Sequence, residues 1–287
     1  MAVSPRFGDY DVVAPLASGG MGGVYLARHV TSGERVALKV LDPLFANHPE
    51  VVARLYSERA IAVRATHPGL VAIRDAGKSS DDIPYLVMEY LDGRTLASLA
   101  KDGPLDVVEI IGLGAQVAAA LAALHEARIV HCDVKPENLF VLDARAWGTL
   151  PQVKVIDFGV SRSLDEMLPD DAAIAGTPHY MAPEQWKGRP TLASDVYSLG
   201  CVLYELLTGE TPFDGSLPQL MHAHLSQRPA RLTWLRSGVP IELERLILRA
   251  LAKDPTVRPT MEELACELGD LAAMMAATET MPMALAV

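Results

Sequence analysis

One segment, residues 196–207, is apolar on nearly every side of a helix, and this constrains the fold more than any other feature. Asp195 precedes the segment and Gly209 follows it as a stop signal, so the pattern predicts one buried helix. A helix that lacks a polar face must be covered by other elements, because its side chains would otherwise meet water. We therefore predict a mainly helical region built around this central helix.

The pattern before Tyr90 is different. Short β-prone runs bounded by turn residues predict strands at 35–41, 70–76 and 85–89, and one helical pattern lies among them at 50–65. The residues Tyr90-Leu91-Asp92-Gly93 interrupt this pattern, and most of the sequence after them is helical.

This change of pattern predicts an α+β fold of two lobes. The predicted domains are a small N-terminal lobe with an antiparallel sheet and one main helix (1–91), a larger, mainly helical C-terminal lobe (92–275) and a flexible tail (276–287).

A lysine and a glutamate occupy inward positions of the first lobe. Alternation along the strand 35–41 places Ala37 and Lys39 on one face. Helical spacing places Glu58 on the same stripe as Leu55. A buried carboxylate is costly unless a cation meets it, so we predict an ion pair between Lys39 and Glu58. The alternative is that Glu58 is an exposed helix residue.

The segment 16–25 is rich in glycine and reads Leu-Ala-Ser-Gly-Gly-Met-Gly-Gly-Val-Tyr. Glycines let backbone N–H groups approach an anion closely, so the turn can cover the phosphates of a nucleotide. Most glycine-rich turns are simple hairpins, and the sequence leaves both interpretations open. An adenine could bond to the strand backbone at 89–91.

The loop 131–138 carries the chemistry. Asp133 can accept a proton from a hydroxyl, Lys135 can neutralise a moving phosphoryl group, and Asn138 offers an oxygen to a magnesium ion. This grouping suits phosphoryl transfer to a hydroxyl. The alternative is a polar surface loop capped by Asp133, so the surrounding motifs must decide.

A second carboxylate follows a predicted antiparallel pair of strands at 139–142 and 153–156. Asp157-Phe158-Gly159 gives an acid, a bulky anchor and a flexible glycine, which suits a second metal-binding carboxylate. The connection 143–152 is longer than a usual hairpin loop. The following residues, 161–175, have little periodicity and several acids, so we predict a mobile loop.

Composition limits the partners and the compartment. The 287 residues carry a net charge of −11, so no general attraction to nucleic acid or anionic lipid is expected. Three widely spaced cysteines signal neither a disulfide framework nor a zinc site, which fits a reducing compartment. We see no leader-type apolar segment at the start and no later stretch that approaches the roughly 20 apolar residues of a membrane helix. We therefore expect a soluble, cytoplasmic protein without membrane insertion.

These motifs, in this order, resemble the eukaryotic-like serine/threonine protein kinases found in bacteria, over roughly residues 10–275. The matching features are the glycine-rich loop, Val36-Ala37-Leu38-Lys39, Glu58, His131 to Asn138, Asp157-Phe158-Gly159, Ala182-Pro183-Glu184, Asp195 and Arg258.

The resemblance implies a role for each site residue. Lys39 would hold the α- and β-phosphates of ATP, Asp133 would be the catalytic base and Lys135 would assist the γ-phosphoryl group. Asn138 and Asp157 would bind Mg²⁺, with Mn²⁺ as an alternative ion. The implied nucleotide-binding set is Leu16, Gly19, Gly22, Val24, Ala37, Lys39, Glu58, Glu89 and Leu91.

The resemblance also implies structural roles and a substrate class. Glu184 and Arg258 look like the ion pair of the family that fixes the activation segment, and Asp195 like the residue that braces the catalytic loop. Lys135 and Thr177 follow the serine/threonine form of the pattern rather than the tyrosine form.

Two positions depart from the family pattern. Ala17 stands where the first glycine of the loop is usual, which puts the grip on the nucleotide in question. Cys132 replaces an arginine that usually pairs with a phosphorylated loop residue, and a thiol cannot form that pair. We therefore expect that phosphorylation of the activation loop is not required and that control comes from helix position or from a regulatory partner. The alternative is that Arg59 or another cation replaces the missing arginine and the usual switch survives.

The leading hypothesis is a signalling enzyme, an ATP-dependent protein kinase that acts on Ser and Thr of protein substrates. The first alternative is a pseudokinase that binds nucleotide or partners without catalysis. A small-molecule phosphotransferase is disfavoured by the peptide-platform sequence 176–184. Glu137 and the net charge favour substrates with basic residues near the acceptor hydroxyl.

Overall fold

The computed structural model describes residues 5–142, 152–165 and 175–279. Its strands are β1 (Arg6–Phe7), β2 (Tyr10–Gly19), β3 (Gly22–His29), β4 (Arg35–Leu41), β5 (Ile73–Lys78), β6 (Pro84–Glu89), β7 (Gly93–Thr95), β8 (Ile129–Val130), β9 (Leu139–Leu142), β10 (Val153–Val155) and β11 (Arg162–Ser163). Its α-helices are α1 (Pro49–Arg64), α2 (Leu96–Lys101), α3 (Val107–Glu126), α4 (Leu192–Thr208), α5 (Leu217–Ser226), α6 (Leu232–Leu235), α7 (Ile241–Ala250) and α8 (Met261–Glu279).

The chain divides into two compact units. One consists of Met1–Asp92 together with Ile156–Gly159, and the other of Gly93–Val155 and Val160–Val287. The first unit contains most of the strands and the second contains seven of these helices, which is the predicted α+β class.

A six-stranded antiparallel sheet forms the first unit, in the order β1-β2-β3-β4-β6-β5. The predicted strand 35–41 is confirmed with its bounds as β4, which lies between β3 and β6. Its side chains Val36, Leu38 and Val40 pack in one core cluster with Tyr85 and Val87 of β6. The predicted alternation along this strand is therefore present.

Strand β5 begins three residues later than the prediction 70–76. Leu70 and Val71 are buried but precede the strand. Leu70 closes a turn, in which its N–H donates to His67 C=O (2.9 Å), and forms a single β-bridge. Burial without a continuous strand gave the same apolar signal in the sequence.

Helix α1 packs against the sheet through a second core cluster of Leu41, Leu55 and Leu86. Leu55, Glu58 and Ile61 are its buried residues, so the face predicted from spacing is the one that packs inward.

The second unit is built around α4, as predicted. Most of its residues are buried, and it ends at Gly209, whose φ of +83° is the left-handed conformation that glycine adopts readily. It begins at Leu192, four residues before the prediction, because Thr191 and Ser194 close a capping box at this end.

Helix α3 corrects one expectation. This helix of 20 residues has a mean hydropathy of 2.0 over its most apolar window, so by length and composition it could cross a membrane. The expectation that no segment approaches a membrane helix is therefore wrong. In the structure 56% of that window is buried, and α3 packs against α8 and α4. The core helix of a folded domain gives the same signal.

Three predicted segments fall partly or wholly outside the described residues. These are the connection at 143–151, residues 166–174 of the predicted mobile loop, and the tail from residue 280. Within the described part, Arg162–Ser163 pairs with Ile129–Val130 as β11 and β8, so the start of the predicted mobile loop is a strand. Helix α8 extends to Glu279, beyond the predicted start of the tail at residue 276.

Candidate active site

Lys39 is the centre of a charged network in the first unit. Its Nζ donates to both carboxylate oxygens of Glu58, at 2.7 and 2.9 Å, and to Oδ1 of Asp157 at 2.7 Å. Glu58 is only 3% exposed, so the helix supplies a buried carboxylate and the strand supplies its cation. The predicted Lys39–Glu58 ion pair is confirmed.

The surroundings keep the Lys39 amine charged. Burial disfavours its ammonium form, but the carboxylates of Glu58 and Asp157 outweigh burial and raise the pKa of Lys39 above its usual value. The Lys39 ammonium therefore stays protonated at neutral pH and can bind phosphate oxygens.

Asp157 has a left-handed backbone conformation, and Gly159, two residues later, has little room for a side chain. Asp157 has a φ of +66°, and its Oδ1 accepts a hydrogen bond from Gly159 N–H (3.1 Å). A Cβ at Gly159 would lie 3.1 Å from Asp157 Oδ1 and 3.2 Å from Glu58 Oε1. A side chain at this position would therefore press against the network.

The glycine-rich segment is the hairpin between β2 and β3. Gly22 has a φ of +156°, and a Cβ there would lie 2.1 Å from the carbonyl oxygen of Val40, so this position needs glycine. Ala17 lies in extended backbone opposite Val24 and has no positive φ, so its methyl group is accommodated without strain. The predicted covering residues Leu16, Gly19, Gly22 and Val24 all lie on this hairpin.

The remaining residues of the predicted nucleotide set lie on the same sheet or just after it. Ala37 is in β4, Glu89 ends β6 and Leu91 follows it. Glu89 N–H donates to Ala72 C=O (3.0 Å), so this donor already has a partner within the first unit.

In the second unit, Asp133 is held by three side chains. Thr177 Oγ1 donates to Asp133 Oδ1 (2.7 Å), Lys135 Nζ lies 2.8 Å from Asp133 Oδ2, and Asn138 Nδ2 donates to the same oxygen (3.1 Å). Lys135 Nζ also donates to Thr177 Oγ1 (2.9 Å). The predicted loop 131–138 therefore brings its carboxylate, amine and amide together, with Thr177 bonded to both charged groups.

The backbone of this loop is held by a buried carboxylate. Asp195, which is fully buried, accepts hydrogen bonds from the N–H groups of His131 (2.8 Å) and Cys132 (2.9 Å). Cys132 has a φ of +67°, an unfavourable conformation for a residue with a side chain. Its thiol is buried, and burial raises its pKa, so the sulfur stays neutral.

Two residues that support the loop were missed by the sequence analysis. His125 Nε2 lies 2.9 Å from Asp195 Oδ2, and Gln185 Nε2 donates to Cys132 C=O (2.8 Å). No spacing signal could have identified them, because their partners lie 70 and 53 residues away in the sequence.

The predicted Glu184–Arg258 ion pair is present. Arg258 donates to both oxygens of Glu184, at 2.7 and 3.0 Å, and Ser194 Oγ donates to Glu184 Oε1 (2.6 Å). The pair ties the segment after Thr177 to α4 and to the segment before α8.

The donor groups suit a metal ion that arrives with a nucleotide. Asn138 uses its amide nitrogen for two bonds to Asp133, which leaves its oxygen for a cation. Among the residues with described positions there is no group of three His, Cys, Asp or Glu that could hold a metal alone. Mg²⁺ is commonly bound by one or two carboxylates with substrate phosphates, and the carboxylate of Asp157 is a ligand of this kind.

Comparison with known proteins identifies relatives. The protein kinase domain model matches residues 10–267. The chain is 38% identical over 278 residues to serine/threonine-protein kinase PknB of Mycobacterium leprae, which covers 93% of this chain and 44% of PknB. It is 41% identical to serine/threonine-protein kinase Pkn1 of Myxococcus xanthus, covering 89% of this chain and 37% of Pkn1.

The chain thus spans less than half the length of these curated relatives. Among solved structures, the PknI kinase domain of Mycobacterium tuberculosis is similar, with a TM-score of 0.73, 28% identity and coverage of 94% of this chain and 99% of that one. The chain therefore belongs to the protein kinase domain family, and its relatives are bacterial serine/threonine-protein kinases.

Proposed function

We propose that this chain is an active protein kinase that transfers the γ-phosphoryl group of ATP to Ser or Thr hydroxyls of proteins. The observation that carries the proposal is the arrangement at Asp133, where Lys135, Asn138 and Thr177 hold a carboxylate in one position. A base held in place before substrate binds costs little reorganisation during reaction.

In the first unit, the nucleotide phosphates would meet Lys39. Its amine is charged and its position is set by Glu58, so it would bind the α- and β-phosphates, while Glu58 acts as a positioning residue. The hairpin residues Leu16, Gly19, Gly22 and Val24, with Ala37, would cover the nucleotide, and the backbone at Glu89 to Leu91 would receive the adenine.

In the second unit, Asp133 would orient the acceptor hydroxyl and accept its proton. Lys135, which bonds to both Asp133 and Thr177, would neutralise charge on the transferred group. Thr177 would fix these two side chains relative to each other.

The proposed metal is Mg²⁺, with Mn²⁺ as an alternative, bound by Asn138 and Asp157 together with phosphate oxygens. When bound, the ion would neutralise charge that develops on the phosphates. Both residues offer hard oxygen ligands, which these ions prefer.

The substrate side chains near the acceptor are proposed to be basic. Tyr180 Oη donates to Glu205 Oε2 (2.7 Å). Burial raises the pKa of Glu205, the Tyr180 bond opposes this rise, and the charge of exposed Glu137 adds to it. The carboxylates of Glu137 and Glu205 repel each other, so a Lys or Arg side chain of the substrate would stabilise both.

A peptide array tests the specificity proposal. Basic flanking residues should raise phosphorylation, and Glu137→Gln should reduce this preference through a higher KM with little change in kcat. A preference for acidic flanks in the unaltered protein would refute it.

The main experiment combines the purified chain, labelled ATP, Mg²⁺ or Mn²⁺ and a generic basic protein. Asp157→Asn and Lys39→Met should each abolish transfer while the protein remains folded, because both side chains serve the nucleotide rather than the apolar core. Asp81→Asn and Lys101→Met change the same residue types at exposed positions and should leave the rate unchanged.

A thermal shift with ATP and metal distinguishes the alternatives. A wild-type chain that is stabilised by nucleotide but transfers no phosphate would be a pseudokinase. An active Asp157→Asn protein would refute the assignment of Asp157 as a metal ligand. We propose cytoplasmic action, where ATP is present.

A further inference from the structure

A cavity of about 480 Å³ opens in the second unit at the start of α4. Its wall is mostly apolar and includes Ala122 of α3, Leu192 and Val196 of α4, and Met261 of α8. A cavity of about 150 Å³ is enough to hold a benzene molecule, so this one has room for a large aromatic side chain. None of the phosphotransfer residues proposed above line it.

The rim of this cavity is negative. Glu126 and Glu262 line it, both are exposed, and neither has an ion-pair partner among residues 5–142, 152–165 and 175–279. An apolar interior with an acidic rim is complementary to an apolar side chain that is flanked by positive charge.

The same unit displays such a side chain. Trp234 on α6 is 76% exposed and its neighbour Leu235 is 55% exposed. Arg228, six residues before Trp234, is exposed and has no carboxylate partner in the part of the chain that the structure describes. Arg236 is held in the fold, because its guanidinium donates to the carbonyl oxygens of Leu207 (3.2 Å) and Leu105 (2.6 Å). A large exposed apolar pair with a nearby cation is typical of an interaction surface.

The support beneath Trp234 is rigid. The guanidinium of Arg231 lies 5.6 Å from the Trp234 ring centroid and donates to Glu244 Oε1 of α7 at 2.7 and 2.9 Å. Glu244 Oε2 accepts from both the N–H and the hydroxyl of Thr233, each at 2.7 Å. A pre-organised aromatic side chain loses little conformational entropy on binding.

A chain cannot place Trp234 in its own cavity. Arg236 donates to the carbonyl oxygen of Leu207 (3.2 Å) at the end of α4, whereas the cavity touches Leu192 at the start. These residues are 15 positions apart, roughly 22 Å along a helix. A Trp234 side chain that occupies this cavity must therefore come from another molecule.

We propose that the cavity receives Trp234 of a second copy of this chain, with exposed Arg228 of that copy facing Glu126 and Glu262. The contact joins two different surfaces, so each copy has one Trp234 to insert and one cavity to be filled. Association therefore continues from copy to copy instead of stopping at a symmetric dimer. The contact is small, so association is weak and salt-sensitive. This property is independent of phosphotransfer.

Sedimentation velocity from about 5 to about 500 μM covers the range of weak association. The average mass of the wild-type chain should rise with concentration, and Trp234→Ser should weaken association at least about tenfold, as expected for a central aromatic residue. Leu44→Ser removes a side chain that is 79% exposed in the other unit and should associate like wild type.

A mixing experiment tests the head-to-tail geometry. Ala122→Phe fills the cavity and keeps Trp234, so it should remain monomeric alone. An equal mixture with Trp234→Ser should form a one-to-one dimer and nothing larger, because only one surface of each variant is intact. If Ala122→Phe does not fold, Glu126→Lys replaces it and should give the same result.

The proposal is overturned by a wild-type chain that stays monomeric throughout this range. It is equally overturned if Trp234→Ser associates like wild type, or if the mixture yields no dimer.

Discussion

Cys132 combines a buried, neutral thiol with a left-handed backbone, and both depend on its neighbours. Asp195 and Gln185 bond to its N–H and carbonyl groups, so the conformation is fixed without a charged side chain at this position. A phosphate on the activation segment would find no cation at Cys132 itself. With Cys132 at this position, a phosphorylated loop residue lacks the arginine with which it would usually pair.

Two serines that follow Asp157-Phe158-Gly159 are engaged in the fold. Ser161 Oγ donates to His131 C=O (3.2 Å), and Ser163 is buried in β11. We expect that phosphatase treatment and the double change Ser161→Ala/Ser163→Ala leave initial rates near those of the untreated protein. A loss of tenfold or more, about 1.4 kcal/mol in barrier height, would show that phosphorylation at these serines is required.

At the scale of elements, α4 organises the second unit because polar groups at its start hold distant segments. Asp195 holds the loop 131–138, while Ser194 bonds to Glu184, which Arg258 also binds. The Arg258 side chain is fully buried; Glu184 supplies the opposite charge, and the carbonyl oxygens of Ala252, Ala193 and Lys253 accept its other hydrogen bonds.

We predict that Arg258→Met destabilises the protein by about 3–5 kcal/mol, because it leaves Glu184 as an uncompensated buried charge. Urea unfolding measures this. Arg249→Met is the matched control, since Arg249 pairs with Glu267 at the exposed surface, and it should cost less than about 1 kcal/mol. Equal costs for the two variants would contradict the prediction.

The double variant Glu184→Met/Arg258→Met should recover part of the loss, since it removes both charges together. A double variant no more stable than Arg258→Met would mean that apolar packing, not the unpaired charge, sets the cost.

The same elements show what the sequence could predict. Strand β4 and the antiparallel pair β9–β10 have strong local patterns, and their predicted bounds agree with the structure to within one residue. The predicted start of β5 was too early because Leu70 and Val71 are buried before the continuous strand begins. The roles of His125 and Gln185 depend on contacts across the fold, which no local pattern records.

At the scale of the whole molecule, Lys253 should give the stability an unusual pH dependence. Its Nζ donates to Tyr197 Oη (3.0 Å) and Ala223 C=O (3.2 Å), and lies 4.4 Å from the Phe213 ring centroid. Burial, with a contribution from Arg258, lowers the pKa of Lys253 from 10.5 to about 8. Between these values the unfolded chain binds more protons, so the Lys253 contribution to stability rises with pH.

At higher pH, buried thiols have the opposite effect on the free energy of unfolding. Burial raises the pKa of Cys132 and of Cys201 above 9.0, so the folded chain binds more protons there and stability falls as the pH increases further. The wild-type free energy of unfolding therefore contains both effects.

A comparison of the wild type with Lys253→Met isolates the contribution of Lys253 to stability. We expect the unfolding free energy of the wild type, relative to Lys253→Met, to increase from about pH 8 to about pH 10. Lys101→Met, at an exposed position, should show no such trend. A difference for Lys253→Met that is independent of pH would contradict the assignment.

The first compact unit takes four of its residues, Ile156–Gly159, from a distant part of the chain, and this bears on synthesis at the ribosome. Lys39 and its partner Asp157 are separated by 118 positions. At roughly 5–20 residues per second, the carboxylate emerges about 6–24 s after the lysine. During that interval Lys39 has only Glu58 as a partner, so its charged network is completed only after residues 93–155 of the second unit have been translated.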